Sequence, residues 1–136
     1  MARTVAEIAS YHAHVYYDPA RSRAEAEALR AEVAERFRVR LGRGRDEPVG
    51  PHSQAMFQIA FETALFATLV PWLMLNHRGL SILVHPNTRG PRRDHVEDAL
   101  WIGLPLPLKP EVLPVEEASA EVAGEPNTEP AGSAAI

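Results

Sequence analysis

A chain of 136 residues with 46% hydrophobic content is long enough to form one domain with a buried core. The sequence has six histidines but no cysteine, which excludes disulfide bonds and thiolate metal sites. The longest apolar run, 65–75, is too short to span a bilayer, and the N-terminus lacks the apolar region of a signal peptide. We therefore expect a cytoplasmic protein without a membrane partner. Because no basic run is interleaved with aromatic residues, we expect no nucleic-acid partner either.

The net charge of −4 is unevenly distributed along the chain. Residues 1–108 nearly balance 13 arginines against 12 acidic residues, whereas residues 109–136 contain one lysine and six glutamates. This second segment is rich in Ala, Pro and Glu and contains no aromatic residue, so it has little apolar surface to bury. We predict a folded domain over residues 1–108 and a mostly disordered acidic tail over residues 109–136.

The first predicted strand covers residues 8–17, where side-chain character alternates with a period of two. The apolar side chains of Ala13 and Val15 point to one face, and those of His12 and His14 point to the other. The strand therefore has one apolar face and one face that carries histidines.

A helix is predicted to follow, because Asp18 suits a helix N-cap and Pro19 suits the first helical position. Leu29, Val33 and Phe37 recur at intervals of four residues, which predicts a helix as far as about Phe37. The remaining predicted elements are, in chain order, a short strand at 38–42, a loop at 42–53, a strand at 55–62, a helix from Thr63 that Pro71 kinks, a strand at 80–85, a short helix at 94–101 and a closing segment at 104–108.

The element order β-α-β-β-α-β predicts an α+β, ferredoxin-like fold, in which one antiparallel sheet has two helices on one face. In the usual strand order of this fold, 4-1-3-2, the end of the fourth strand at His85 approaches the start of the first at His12. His14 and Gln58 share the same face by parity. That face lies opposite the helices and needs a cover. A second subunit is the simplest cover, so we expect a homodimer.

The histidines of this sheet face are candidate metal ligands, because neutral imidazole is the commonest protein ligand for zinc, iron and copper. His12 and His14 alone would be better explained as half-exposed strand residues under a dimer interface. With His85 on the neighbouring strand, a metal site becomes the favoured interpretation.

The other three histidines lie in loops or at the ends of elements. His52, in a Gly-Pro turn, is interpreted either as a catalytic acid or base or as a residue that fixes the loop by hydrogen bonding. His95 is interpreted either as a residue bordering the site or as the cap of a short helix. His77 lies in the last turn of a predicted helix, where a structural role is favoured.

Three motifs in a fixed order resemble those of the DOPA 4,5-dioxygenase family. They are His-Ala-His-Val-Tyr-Tyr-Asp from His12, Pro-Val-Gly-Pro-His-Ser-Gln-Ala-Met-Phe-Gln-Ile-Ala-Phe up to Phe61, and Gly-Leu-Ser-Ile-Leu-Val-His-Pro-Asn-Thr up to Thr88. An Asp-His pair at His95 and Ala-Leu-Trp-Ile-Gly follow. The resemblance covers roughly residues 8–108 and is specific because the motifs occur together.

This resemblance implies a compact and commonly dimeric α+β protein that opens the ring of a catechol with non-haem Fe(II) and O₂. We hypothesise that the metal ligands are His12, His14 and His85, or two of these with a carboxylate such as Glu62. The metal is expected to be Fe(II), with zinc as the alternative ion in the isolated protein. Proton transfer is assigned to His52 or to His95.

Two other functions compete with this one. One is a non-catalytic dimeric module that binds a small aromatic ligand or a metal. The other is a cofactor-free oxygenase in which the histidines act only as acids and bases.

Overall fold

The structure is a computed structural model that describes residues 1–131. The strands are β1 (Ser10–Tyr17), β2 (Arg40–Leu41), β3 (Ala55–Phe61), β4 (Ile82–Asn87) and β5 (Leu100–Ile102), and the α-helices are α1 (Arg23–Arg36), α2 (Phe66–Asn76) and α3 (Pro91–His95). Short 3₁₀ helices lie at Val5–Glu7, Thr63–Leu65 and Pro110–Val112. None of the helices in the described part of the chain is long and apolar enough to cross a membrane.

The five strands form one antiparallel sheet in the order β2-β3-β1-β4-β5. The first four strands have the predicted order, and the predicted α+β class is confirmed. The prediction of a helix over 94–101 is wrong. Helix α3 begins earlier, with Pro91 in its first turn, and the chain then forms β5, which pairs with the outer edge of β4. The segment becomes a strand because it can hydrogen-bond to the free edge of β4. A local sequence pattern does not reveal such an edge.

The helix-facing side of the sheet forms the main hydrophobic core. Val15 of β1 and Ile59 of β3 are fully buried there, together with Leu29 of α1 and Leu73 of α2. Complete burial of one such side chain contributes roughly 1.5–3 kcal/mol to stability. The alternation that predicts this apolar face is therefore confirmed.

Helix α1 begins later than Asp18 and Pro19 predict. The backbone N–H of Ala20 donates to the Asp18 carboxylate over 2.9 Å, and the Asp18 N–H donates to the Ser22 hydroxyl over 2.8 Å. These bonds close a turn over 18–22, and regular helix starts only at Arg23. Asp and Ser side chains favour such turns as readily as they favour helix caps.

The opposite side of the sheet is covered by the chain itself. Tyr16, Met56 and Leu83 form a second buried apolar group there, against Trp101 and Leu108. The expectation of a second subunit rests on this face being open, so the covering segment removes that argument for a dimer.

The segment 113–131, which we call the C-terminal strap, continues this cover. The Thr128 hydroxyl donates to the Phe37 carbonyl over 2.6 Å and accepts a bond from the Val39 N–H over 3.1 Å. The amide of Asn127 bonds both the N–H and the carbonyl of Leu41, at 2.7 and 2.9 Å. The strap thus pairs with the outer edge of β2, although composition predicts disorder here. Residues 132–136 of the predicted disordered tail lie outside the described part of the chain.

Candidate metal centre

Three histidines from two adjacent strands meet on the covered face of the sheet. His12 of β1 is paired directly with His85 of β4, and His14 follows two residues along the same face. Their exposed fractions are only 6%, 1% and 2%. One ring nitrogen from each of them lies within 4.8 Å of those of the other two. Strand parity and antiparallel register therefore bring together the three residues that the sequence predicts as ligands.

The ring nitrogens of His14 and His85 face each other. Their Nε2 atoms are 3.0 Å apart, and Nδ1 of His85 lies 2.8 Å from the carbonyl oxygen of Pro86. A carbonyl only accepts hydrogen bonds, so Nδ1 of His85 carries the ring proton and Nε2 offers a lone pair. Nδ1 of His14 is buried without a hydrogen-bond partner. This pair has the unshared electron pairs that a metal ion would engage.

Burial keeps these rings uncharged. Desolvation, followed by repulsion from neighbouring histidines, holds the pKa of His14 well below its usual value, and desolvation does the same for His85. The neutral ring is the form of histidine that binds metal ions. Both side chains are therefore in the ligating state at neutral pH.

His52 reaches the cluster because its loop folds back over the sheet. The loop is held by bonds from the Lys109 N–H to the Pro51 carbonyl and from the Ser53 hydroxyl to the Pro107 carbonyl, at 2.8 and 2.6 Å. The centre of the His52 ring lies 4.1 Å from that of His14. His52 precedes β3 at the far end of the sheet, so it approaches His14 only because its loop folds back in this way.

The protonation of His52 is set by Tyr16. The Tyr16 hydroxyl is 2.6 Å from Nδ1 of His52, and burial raises the tyrosine pKa, so the hydroxyl stays protonated. Desolvation lowers the pKa of His52 to about 4. When the hydroxyl donates to Nδ1, the single proton of the neutral His52 ring resides on Nε2.

His95 borders the cluster from helix α3. Its ring centre is 3.8 Å from that of His85, and its Nδ1 lies 2.8 Å from the Pro91 carbonyl, so Nε2 is free to accept a proton. His14, His52 and His95 form a second group whose ligand atoms lie within 4.8 Å of one another. The adjacent Asp94 is used for structure, because its carboxylate accepts both the N–H and the hydroxyl of Thr88, at 2.8 and 2.6 Å.

Two other side chains considered from the sequence lie outside the cluster. His77 lies beside the Leu80 carbonyl, with Nδ1 at 2.9 Å, in the turn where Arg78 and Gly79 have φ of 55° and 75°. Glu62 is exposed just beyond the end of β3 and belongs to neither group of potential ligands among residues 1–131. The structure therefore does not place Glu62 beside the histidines.

The carboxylate that does approach the histidines is that of Glu121, which the sequence analysis missed. Its Oε2 atom lies 3.2 Å from Nε2 of His12, and contact with His12 lowers the pKa of Glu121. Despite this short distance, Nε2 of His12 has no hydrogen-bond partner among the described residues. No sequence signal marks Glu121, because it lies in an Ala- and Pro-rich segment without strand or helix periodicity.

The histidines open into a cavity of about 470 Å³ between the sheet and the C-terminal strap, a size that suits a small organic ligand. Its walls include His12, His14, His52 and His95 on one side and Leu113, Glu117, Ser119, Ala120 and Glu121 on the other. A larger cavity of about 590 Å³ lies elsewhere, next to Tyr17 and Arg30. Among the described residues that larger cavity holds no group of metal ligands, so the smaller one is the candidate site.

Comparison with known proteins agrees with the motifs. The family model described as "Dopa 4,5-dioxygenase family" matches residues 11–112. The chain belongs to this family. The match includes all five clustered histidines and all five strands apart from Ser10 at the start of β1, and it ends before the C-terminal strap.

Individual proteins are also similar over much of the chain. The DOPA 4,5-dioxygenase of Amanita muscaria is 35% identical over 118 residues, which are 81% of this chain and 52% of that protein. An uncharacterized 21.2 kDa protein of Botryotinia fuckeliana is 41% identical over 90 residues, which are 60% and 48% of the two chains. The chain thus spans about half the length of these curated relatives.

A solved structure from the cyanobacterium Nostoc punctiforme, described as a candidate dioxygenase, is also similar. It is 48% identical, covers 82% of this chain and 96% of its own, and superposes with a TM-score of 0.79. Both the Amanita muscaria protein and this solved structure are described as dioxygenases.

Proposed function

We propose that this protein is a dioxygenase that opens the ring of a catechol, L-DOPA or a similar compound, by extradiol cleavage that depends on Fe(II) and O₂. The observation that carries the proposal is the convergence of His12, His14 and His85 on one buried point of the sheet. Extradiol chemistry needs a metal that a few protein ligands hold with positions open to substrate and O₂. Three uncharged imidazoles beside a cavity meet that need.

The donor set fits an iron ion. Nε2 of His12 and Nδ1 of His14 are buried without hydrogen-bond partners, a costly arrangement unless another group engages the rings. In this proposal His12, His14 and His85 hold the metal. Zinc is the other ion that an all-imidazole set would accept on isolation. An ion held by these residues would act as a Lewis acid towards a chelating catechol and would supply the redox chemistry that activates O₂.

The overall reaction balances without an added reductant. The carbon–carbon bond between one hydroxyl-bearing ring carbon and its unsubstituted neighbour breaks. One atom of O₂ joins the former hydroxyl oxygen in a new carboxyl group, and the other becomes the oxygen of a new carbonyl group. The catechol supplies the electrons. One of its hydroxyl protons must be taken up while the substrate binds and returned as the ring opens.

His95 and His52 are suited to the two halves of this proton transfer. Because Nδ1 of His95 is bonded to a carbonyl, its Nε2 can accept a proton from a catechol hydroxyl. Nε2 of His52 carries a proton when Tyr16 donates to Nδ1, so it can donate to an oxygen that becomes negative as the ring opens. We assign His95 as base and His52 as donor.

The walls of the cavity restrict water around the reacting groups. The C-terminal strap and the folded-back loop around His52 enclose the histidine face, and apolar Tyr16, Leu83 and Trp101 fill the space beside it. A restricted, low-dielectric site strengthens the hydrogen bonds that His52 and His95 make to charged oxygens.

The proposal also includes a homodimer, which the family resemblance implies, and a cytoplasmic location, which the composition favours. Leu104, Leu100 and Val96 are exposed large apolar side chains near β5 and would be the first residues to test at an interface. Light scattering after size-exclusion chromatography, at several protein concentrations, measures the molecular mass. A mass equal to one chain at all concentrations would remove the dimer from the proposal.

The decisive experiment is anaerobic reconstitution with Fe(II), followed by addition of L-DOPA, caffeate or protocatechuate and then O₂. We expect a ring-opened, coloured product from at least one of them. If no catechol is consumed and no metal is retained, the protein is better explained as a non-catalytic binding module. Ring opening that survives complete chelation would instead support the cofactor-free oxygenase.

A further inference from the structure

The C-terminal strap is held beside the histidine cluster at three points. On one side the Arg92 guanidinium donates to the Leu113 carbonyl over 2.9 Å, and the Glu117 N–H donates to the Arg89 carbonyl over 2.7 Å. On the other side the strap pairs with the edge of β2 through Asn127 and Thr128, as described above.

The third point of attachment lies next to His12. The Ser10 hydroxyl donates to the Glu121 carbonyl over 2.6 Å, and it accepts a bond from the side-chain amide of Asn87 over 2.9 Å. Ser10 of β1 and Asn87 of β4 lie directly opposite each other in the sheet. Both are buried on the same strands that carry His12 and His85. The sheet therefore fixes the backbone of Glu121 directly over the histidines.

We propose that Glu121 is a carboxylate ligand of the metal centre, placed next to His12 by the C-terminal strap. This inference rests on the proposed function and deepens it. It places one carboxylate beside the histidine ligands of this chain.

The geometry around His12 carries the argument. Nε2 of His12 is buried and lacks a hydrogen-bond partner, yet Oε2 of Glu121 is 3.2 Å away. Two ligands of one metal ion lie about this far apart, since each is close to 2 Å from the ion. The side chain of Glu121 is 66% exposed, so it stands at the mouth of the cavity and can rotate onto an ion bound there.

The other acidic residues near the cavity do not fit this role. Asp94 is engaged by Thr88, and among the described residues Glu121 is the one whose carboxylate comes within ion-pair distance of a clustered histidine. A carboxylate also makes chemical sense, because it would partly neutralise a divalent ion bound by uncharged imidazoles. Glu121 lies beyond residue 112, where the match to the family model ends.

Binding of Co(II) tests the inference, because the visible absorption of Co(II) reports the ligands around it. We would titrate the full-length protein and the variants Glu121→Gln and Glu121→Asp under anaerobic conditions. The Gln variant should bind at least tenfold more weakly and with an altered spectrum, and the Asp variant should recover part of the affinity. Glu129→Gln is the matched control, because it removes the same charge from an exposed site on the same strap.

Salt separates ligation from long-range attraction. A purely electrostatic contribution of Glu121 should fade between 0.05 and 1 M salt, roughly as the screening length shortens, whereas loss of a ligand persists at high salt. If Glu121→Gln binds Co(II) with unchanged affinity and spectrum, Glu121 is not a ligand and the proposed function stands. If the wild-type protein binds neither Co(II) nor Fe(II), the proposed function and this inference both fail.

Discussion

The two faces of the sheet use the same strands for opposite purposes. On β1, Ala13 and Val15 are fully buried against the helices, while their neighbours His12 and His14 are buried on the other face as polar groups. The helix face gains stability from close packing. The histidine face is less favourable for stability, because His12 and His14 each have a buried nitrogen without a hydrogen-bond partner.

This difference indicates that the helix side sets the fold and the histidine side was shaped for binding. Residues that only need to fill space are interchangeable with others of similar volume. Buried imidazoles with free lone pairs have no such substitute, because their value lies in what they bind. Mutations on the two faces should therefore separate stability from activity.

The largest effect is expected from His14→Ala on the histidine face. Loss of this central ligand should weaken Fe(II) or Co(II) binding more than about 100-fold, since contacts that merely support a metal ligand are worth 10–100-fold. Isothermal titration measures the affinity, and catechol consumption should fall with metal occupancy. His77→Ala is the control, as His77 lies outside the cluster. Equal effects of the two substitutions would mean that the cluster is not the site.

On the helix face, Ile59→Ala should reduce the free energy of unfolding by about 2–5 kcal/mol, because it leaves a cavity in the main core. Ile59 is fully buried there. Urea denaturation measures the loss, and metal affinity measured well below the transition should stay unchanged. A fall in metal affinity in the still-folded variant would show that the two faces are not independent.

His52→Gln should leave metal affinity unchanged and lower kcat by roughly 100-fold, the lower range for a proton-transfer group. The amide is similar in size to the ring but cannot exchange a proton with a substrate oxygen. Steady-state kinetics with the reconstituted enzyme measures the change. An unchanged kcat would mean that His52 only fixes its loop by hydrogen bonding. The main effect of the substitution would then be a lower free energy of unfolding.

The smallest expected effect is on the pH dependence of stability in metal-free protein. The folded state holds the pKa of His14, His85 and His52 below the ordinary value of about 6.5. Stability from these neutral rings is therefore fully present above pH of about 6.5, and it is lost as the pH falls towards about 4, the pKa of folded His52. Unfolding followed from pH 8 to 4 should show this decline, and His52→Gln should flatten it. A flat profile would contradict burial of neutral histidines.

Much of the fold and three of the clustered histidines follow from local sequence patterns. Alternation in β1 separates His12 and His14 from Ala13 and Val15, and the antiparallel order of β1 and β4 brings His85 opposite His12. These inferences succeed because strand parity is strict. The family motifs add His52 and His95 as candidates without indicating how they reach the cluster.

What the sequence does not reveal depends on contacts between distant segments. The position of β5 follows from the free edge of β4, and the approach of His52 follows from the bonds of its loop to residues near Leu108. Glu121 is held by Ser10, which lies near the other end of the chain. Such side-chain-to-backbone bonds leave no periodic trace in a segment rich in Ala and Pro, so composition alone predicts disorder there.

A single-turnover reaction tests the central claim most directly. Fe(II)-loaded protein, mixed anaerobically with its preferred catechol and then exposed to ¹⁸O₂, should consume one O₂ for each catechol. The product, analysed at once by mass spectrometry, should have the mass of the catechol plus both atoms of O₂. Release of an oxidised but unopened quinone, or an equal yield after the metal is removed, would contradict a metal-dependent ring-opening site on the histidine face.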